Sequence, residues 1–325
     1  MDVSTELLQT FICVSATKNF SRAAERLHKA QSSVSLQIAS LERAVGLALF
    51  DRTERPIKLT EAGTLFLSYA VEQVNRAEAI EKVLRGFATG VAGEVRVAAS
   101  TPVGSFLLPG IIADIRRDSP QIRIEVLAQS RGLVFESVES ERVDFAIGFS
   151  DTMPWGKREQ AGDLKIQLLA NLPSLFAVAA DHPLARAGTV SVDELCRYPM
   201  VTGTAGTGHA EVLEPMLERN GIVNYPVNLR VNSVEGVKHA VLAGLDVGLL
   251  QEFMIRRELA EGTVVEVRVR GVQLTGCIIL IERKGRLLSP TARMVKERIV
   301  AAFADGAKHR NGKNRNRERA HVRKT

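Results

Sequence analysis

Between residues 20 and 42 the chain reads FSRAAERLHKAQSSVSLQIASLE, rich in alanine and serine and poor in bulk. Small residues let two helices approach closely. The 3.6-residue period predicts a helix from about Gln31 with Val34, Ile38 and Leu41 facing inward, which leaves Gln31, Ser32, Ser35 and Leu36 outward. Amide and hydroxyl groups beside one apolar tip suit base edges and a thymine methyl in a DNA major groove. The preceding segment predicts a helix capped by Ser21, with Ala23, Ala24 and Leu27 on its inner side and a break at His28–Ala30. That is helix-turn-helix spacing. Two short packed helices occur in many unrelated proteins, so the spacing alone does not assign a function.

Other reactive residue types form no constellation. The six histidines are scattered, and no nucleophile, base and orienting group stand at readable spacing, so catalysis has no support. Cys13, Cys196 and Cys277 form no CxxC pair and suggest neither a disulfide framework nor a metal cluster; no cofactor is expected. The run TGTAGTGH at 202–209 resembles a phosphate loop but lacks its GK[ST] ending and does not fit G-x-G-x-x-G, so it reads as a cleft lip leading into a helix.

These groups must be positioned by more than one domain, because 325 residues exceed a single ordinary core. No apolar run approaches the length of a membrane span, and acids at Asp2 and Glu6 stand where a secretory signal would be basic, so a cytoplasmic protein is expected. The +6 net charge is uneven. Residues 307–325 hold eight Lys or Arg against Glu318 alone, more positive charge than the whole chain's balance. This tail, 305–325, lacks apolar periodicity and reads as disordered, either a solubilising extension or a DNA-steering arm.

Pattern divides the remainder. Residues 1–59 carry short helices and then a turn-rich ribbon, LFDRTERPIKLT. Residues 60–89 read as one long helix with Thr60 as its cap. Leu67, Ala70, Val74, Ala77, Leu84 and Ala88 fall at seam spacing, broken by Glu81, while Phe66, Ile80 and Phe87 widen the stripe. So much apolar face predicts a dimerising linker helix. After the hinge ATGVAGE, residues 90–304 alternate strands and helices: EVRVAAS, LLPGIIADIRRD, IRIEVLAQ, a helix near Leu133–Glu141 and VDFAIGFS form a βαβαβ unit with a parallel sheet. A second α/β lobe follows, and a cleft between the two is the expected ligand site.

The segment LLQTFICVSATKNFSRAAERLHKAQSSVSLQIASLERAVGLALFDRTERPIKLTEAG closely resembles the LysR-type transcriptional regulators. The resemblance continues through LLPGIIADIRRDSPQIRIEV, VDFAIG, DHPLA and AVLAGLDVGLL, so it spans about residues 5–300 and leaves only the tail outside. It implies an α/β multidomain protein with an N-terminal winged helix-turn-helix, a linker helix, and a two-lobed effector domain like periplasmic solute-binding proteins. It also implies a homodimer or homotetramer on double-stranded promoter DNA, answering to a small-molecule co-inducer, with RNA polymerase as a further partner. An architectural DNA-binding protein without effector, or a solute-binding or enzymatic α/β protein, is the alternative.

Carried over by resemblance, Gln31, Ser32, Ser33, Ser35 and Gln37 would read DNA, while Arg22, Arg52, Arg55 and Lys58 would meet phosphates or the minor groove. Ser100, Thr101, Arg131, Phe149, Thr202 and Gly203 would contact the effector, with Asn232 and Ser233 as further candidates. Arg131, the hydroxyls and helices starting near Gly104 and Gly208 favour a small organic or phosphorylated anion. The chain departs from the family pattern at Ser32, where proline is frequent, at Leu36, where arginine is frequent, and at Gln251, which replaces the usual proline of "ALLP".

Overall fold

The computed structural model describes residues 3–53, 56–89, 93–151 and 163–304, without the side chains of 82, 85–89, 208 and 209. Arg55, part of the hinge and the basic tail thus lie outside the described residues. Two compact units emerge. One comprises residues up to Ala88 with the short segments Ser140–Arg142 and Leu287–Ser289; the other comprises the rest.

In the first unit, α1 (Thr5–Thr17), α2 (Phe20–Arg26) and α3 (Gln31–Val45) pack through Leu8, Phe11, Val14, Ala23, Ala24, Val34, Ile38 and Leu41. The inward set on α3 is the one its period predicts. The cap of α2 is different: Asn19, not Ser21, takes the position, its Oδ1 accepting from Ser21 N at 2.8 Å and Arg22 N at 3.1 Å. An Asn just ahead of the helix satisfies its orphan donors, so Ser21 lies inside. Two short strands, β1 (Phe50–Asp51) and β2 (Lys58–Leu59), form the ribbon, antiparallel with Phe50 opposite Leu59.

The long helix α4 (Glu61–Thr89) starts as predicted at Thr60, whose Oγ1 accepts from Gly63 N at 2.9 Å. Gly63 is required there, since a Cβ would stand 2.0 Å from the Leu49 carbonyl oxygen. The stripe along α4 divides. Phe66, Ala70 and Val74 are buried in the unit's own core, with Phe66 edge-on to Phe11 at 5.3 Å. Val74, placed by its spacing on a dimer seam, is only 7% exposed, which corrects that expectation. Leu65, Tyr69, Ile80 and Leu84 are the exposed set, Leu84 at 61%.

The second unit is built on β3 (Gly93–Ser100), β4 (Ile122–Gln129), β5 (Phe145–Ser150), β6 (Leu164–Ala179), β7 (Thr189–Val190), β8 (Met200–Gly203), β9 (Val227–Val231), β10 (Val247–Gln251), β11 (Val264–Val269) and β12 (Leu274–Arg283). The expected parallel pairings are present: β3 with β4 and β5, and β8 with β9 and β10. The two lobes share one continuous sheet in the order β4-β3-β5-β12-β6-β10-β8-β9. The 16-residue β6, about 50 Å long at 3.3 Å per residue, runs antiparallel to β12 and β10 and joins the lobes.

Helices α5 (Thr101–Phe106), α6 (Leu108–Asp118) and α7 (Arg131–Glu139) cover the first lobe. The second carries α8 (Gly208–Arg219), α9 (Val234–Leu242) and α10 (Arg256–Glu261). A final helix, α11, runs over 290–304. The buried faces are those expected of doubly covered strands, near-continuous in Val, Ile, Leu and Ala, as in Phe145–Ser150 and Val247–Gln251. Among the described residues no helix is long and apolar enough to cross a membrane, and no group of His, Cys, Asp and Glu could hold a metal.

Candidate functional site

On α3, burying Val34, Ile38 and Leu41 turns Gln31, Ser32, Ser33 and Leu36 outward, Leu36 at 70% exposure, with Ser35 half-buried between them. Gln31 Oε1 accepts from Ser21 Oγ at 3.1 Å, tying the start of α3 to α2. Arg22 and Lys58 are exposed.

Two residues expected at DNA are committed within the protein. The Gln37 amide accepts from Thr10 Oγ1 at 3.0 Å and Lys29 Nζ at 3.2 Å, and donates to Glu6 Oε1 at 2.9 Å. Lys29 also pairs with Glu6 at 2.6 Å. Lys29 first, then Gln37, holds the Glu6 carboxyl below its ordinary value. Arg52 pairs with Glu42 Oε2 at 2.7 Å and lies 5.5 Å from the Phe20 ring centroid. The other Glu42 oxygen accepts from Leu49 N at 2.9 Å and Phe50 N at 3.2 Å. Glu42 and Arg52 therefore clamp the ribbon to α3, a function that charge in a turn did not disclose.

In the second unit a cavity of about 110 Å³ is lined by Ser100, Thr101, Pro102, Gln129, Arg131 and Phe149 from the first lobe. The other lobe brings Thr207, Val212, Asn232, Ser233, Val234 and Gln251. Strand ends supply Ser100, Gln129, Phe149 and Gln251, at the carboxyl edge where open α/β sheets bind ligands. Four expected effector residues come together here: Ser100, Thr101, Arg131 and Phe149. Phe149 N donates to Ser100 Oγ at 3.0 Å, and Thr101 Oγ1 donates to Gln129 O at 3.4 Å. The Phe149 ring fills the space above Gly276, where a Cβ would lie 2.1 Å from its Cζ.

Thr202 and Gly203 are buried at the end of β8 and do not line the cavity. The turn 204–207 separates them from α8, so the residue that reaches the cavity is the cap Thr207, which accepts from Ala210 N. Asn232 and Ser233 do line it, Ser233 capping α9 by accepting from Gly236 N at 3.0 Å. The first cavity helix begins at Thr101, so Gly104 lies inside it rather than at its start. Gln251 was legible only as a departure from the family's proline.

Both thiols of this unit are pushed up by burial, Cys196 with help from Asp193 and Cys277 from Asp151. They donate to Val223 O at 3.8 Å and Asn171 Oδ1 at 3.4 Å.

The arrangement, a helix-turn-helix unit and an α/β unit with a ligand-sized cavity, is matched by two family models. The bacterial regulatory helix-turn-helix protein of the lysR family covers residues 5–64, and the LysR substrate binding domain covers 88–304. The chain belongs to the LysR family of transcriptional regulators. A probable RuBisCO transcriptional regulator of Cyanidioschyzon merolae is 30% identical over 287 residues, 88% of this chain and 93% of that one. The HTH-type transcriptional regulator CysL of Bacillus subtilis is 28% identical over 270 residues, 83% and 87% of the two chains. Full-length CbnR, solved in complex with target DNA, matches with a TM-score of 0.65 at 22% identity, covering 91% of this chain and 98% of that one. As a LysR regulator the chain has a DNA-binding and an effector-binding domain and is not an enzyme.

Proposed function

We propose that this LysR regulator binds promoter DNA as a dimer or a dimer of dimers, and that a small anion in the cavity of the second unit alters that binding. The observation that carries the reading is the convergence on one cavity of Arg131 with the starts of α7, α8 and α9. Helix starts present N–H groups and positive dipole ends, and a guanidinium takes a carboxylate or phosphate on two oxygens. A cavity of about 110 Å³ suits a small molecule, and with these groups the reading favours a small organic acid or phosphorylated metabolite.

On DNA, Gln31, Ser32, Ser33, Ser35 and Leu36 would face base edges, and Arg22, Arg55 and Lys58 the phosphates. Gln37 and Arg52 serve instead as positioning groups, since their polar atoms already hold α1, α3 and the ribbon. Dimerisation is assigned to the exposed stripe Leu65, Tyr69, Ile80 and Leu84, which falls within roughly 100° of arc on a helix turning about 100° per residue. Binding to a promoter places the protein in the cytoplasm and within reach of RNA polymerase. That the CbnR structure was solved with its target DNA agrees with the first part of this reading.

Calorimetry of the full-length protein against a panel of small acids, phosphates, amines and neutral analogues tests the effector. An acid or phosphate should bind best, and Arg131→Ala should weaken it by about 1.5–3 kcal/mol, the usual worth of a hydrogen bond to a charged group. A best ligand that is neutral or cationic, or an Arg131→Ala variant binding the anion unchanged, would defeat the reading.

A further inference from the structure

The two lobes of the second unit are fastened to each other at two points that neither DNA binding nor the capture of an anion employs. Both lie on elements that line the cavity, a short way beyond it. Helix α5 leaves the cavity at Thr101 and ends at Phe106, while α9 leaves it at the cap Ser233 and carries Lys238. Phe106 and Lys238 each stand about 7.5 Å farther along at about 1.5 Å per residue. There the two lobes meet: the Lys238 ammonium lies over the Phe106 ring, 5.3 Å from its centroid. Groups of the second lobe hold that ammonium still, since Nζ donates to Met254 O at 2.6 Å and pairs with Glu258 at 2.8 Å. The turn Glu252–Met254 packs on α5 as well. With the Lys238 side chain only 14% exposed, water does little to screen the attraction between cation and ring.

The second fastening joins β5 to α8. Asp151 directly follows β5, two positions beyond the cavity residue Phe149, and Arg219 ends α8, two turns beyond the cavity residue Val212. Guanidinium and carboxylate meet at 2.7 Å, and the Asp151 carboxylate, 8% exposed, also accepts from Ser150 Oγ at 3.4 Å. Surface ion pairs contribute little, but one whose carboxylate is buried and oriented is costly to break. Two-lobed domains open and close about the strands that connect them unless something else spans the lobes. Strand β6 is that connection here, and the two fastenings span the lobes at separate pairs of cavity elements. We infer that Phe106 with Lys238, and Asp151 with Arg219, are positioning residues that hold the lobes at one separation. None of the four lines the cavity, so they act without touching the effector. The cavity thereby keeps a preset width and does not form by closure around its ligand. This inference concerns that width and stands apart from the charge of what fills it.

The test is double electron-electron resonance on the full-length protein without ligand, with spin labels carried on p-acetylphenylalanine at positions 117 and 257. Arg117 on α6 and Arg257 on α10 are exposed and belong to different lobes. Labelled chains are diluted into unlabelled ones so that only distances within one chain are read. The otherwise wild-type protein should give one narrow distance distribution. Phe106→Leu combined with Arg219→Met should add a longer population, and each single variant a smaller share of it; the single variants carry the same test should the double variant not fold. Phe106→Tyr and Arg219→Lys should keep the narrow distribution, because the ring face and the charge persist. A broad distribution in the wild type, or an unchanged one in the Leu and Met variants, would overturn the inference. So would a longer population in the Tyr and Lys variants equal to that in the Leu and Met variants, since shape alone would then be at work.

Discussion

Two glutamines, one in each unit, show how differently the two regions use buried polarity. Gln37 gives both ends of its amide to Thr10, Lys29 and Glu6, so its hydrogen bonds fix α3 against α1. Gln251, deeper in the protein, is a lining residue of the cavity, and its buried oxygen has no partner among the described residues. The helix-turn-helix is a finished framework that presents an exposed face, whereas the cavity is a framework with a place left for another molecule. Committed groups should therefore cost stability when removed, and uncommitted ones should cost recognition.

The largest effect should separate the two sides of α4. Val74→Asp puts a charge into the core with Phe66 and Ala70 and should unfold the first unit, read as loss of its cooperative transition in urea. Ile80→Asp with Leu84→Asp alters only exposed positions, so folding should survive while sedimentation shows monomers and operator binding is lost. A folded Val74→Asp, or an intact dimer in the double variant, would erase the division of the helix.

Next in size is the clamp of the ribbon. Glu42→Ala strips the acceptor from Leu49 N, Phe50 N and Arg52 and should lower stability by about 1–3 kcal/mol in denaturant titration. A change within error would mean that the ribbon is held by packing alone.

A finer contrast compares Ser35 with Gln37. Ser35→Ala should cost about 1–3 kcal/mol on the operator and nothing on random DNA, while Gln37→Ala should weaken both kinds of complex together through a looser α3. Fluorescence anisotropy on the two DNAs decides, and the opposite pattern would make Gln37 the base reader.

The smallest effect is that of pH. The Glu6 carboxyl is held below its ordinary 4.5 by Lys29 and then Gln37, so its contribution is complete above 4.5 and fades as pH falls through the lowered value. Glu6→Gln should flatten the acid limb of the stability curve slightly and leave neutral pH nearly untouched. Removing the basic tail after Ala304 extends the same logic to DNA: the slope of log affinity against log salt should flatten by about 0.9 for each phosphate that the tail had neutralised.

Local pattern made much of this legible. The inward set on α3, the start of α4 at Thr60, the ribbon and the parallel pairings follow from period, cap chemistry and strand order. Four of the six expected effector residues line the cavity, each at a strand end or helix start, where topology puts ligands. The remainder depends on partners distant in sequence. On α4 two adjacent apolar stripes compete, and only the packed core decides that Phe66, Ala70 and Val74 turn inward. Arg52 reads as a phosphate ligand until Glu42 stands beside it, and Gln37 as a base reader until Glu6 and Thr10 arrive from another helix. Thr202 and Gly203 lost their place to Thr207 through one turn whose path spacing does not reveal. Gln251 showed itself as an unusual letter, but that its buried oxygen lacks a partner among the described residues is a matter of packing, which no pattern reveals.

On the proposed function, a small anion in the cavity changes how the regulator holds its promoter. Footprinting of the full-length protein on its own promoter, with and without the best-binding acid from the calorimetric panel, tests it most directly. The protected region should shift or change in extent when the acid is added to wild-type protein and stay fixed with Arg131→Ala. An identical footprint with and without an acid that calorimetry shows to be bound would mean that the cavity's ligand does not act on promoter binding.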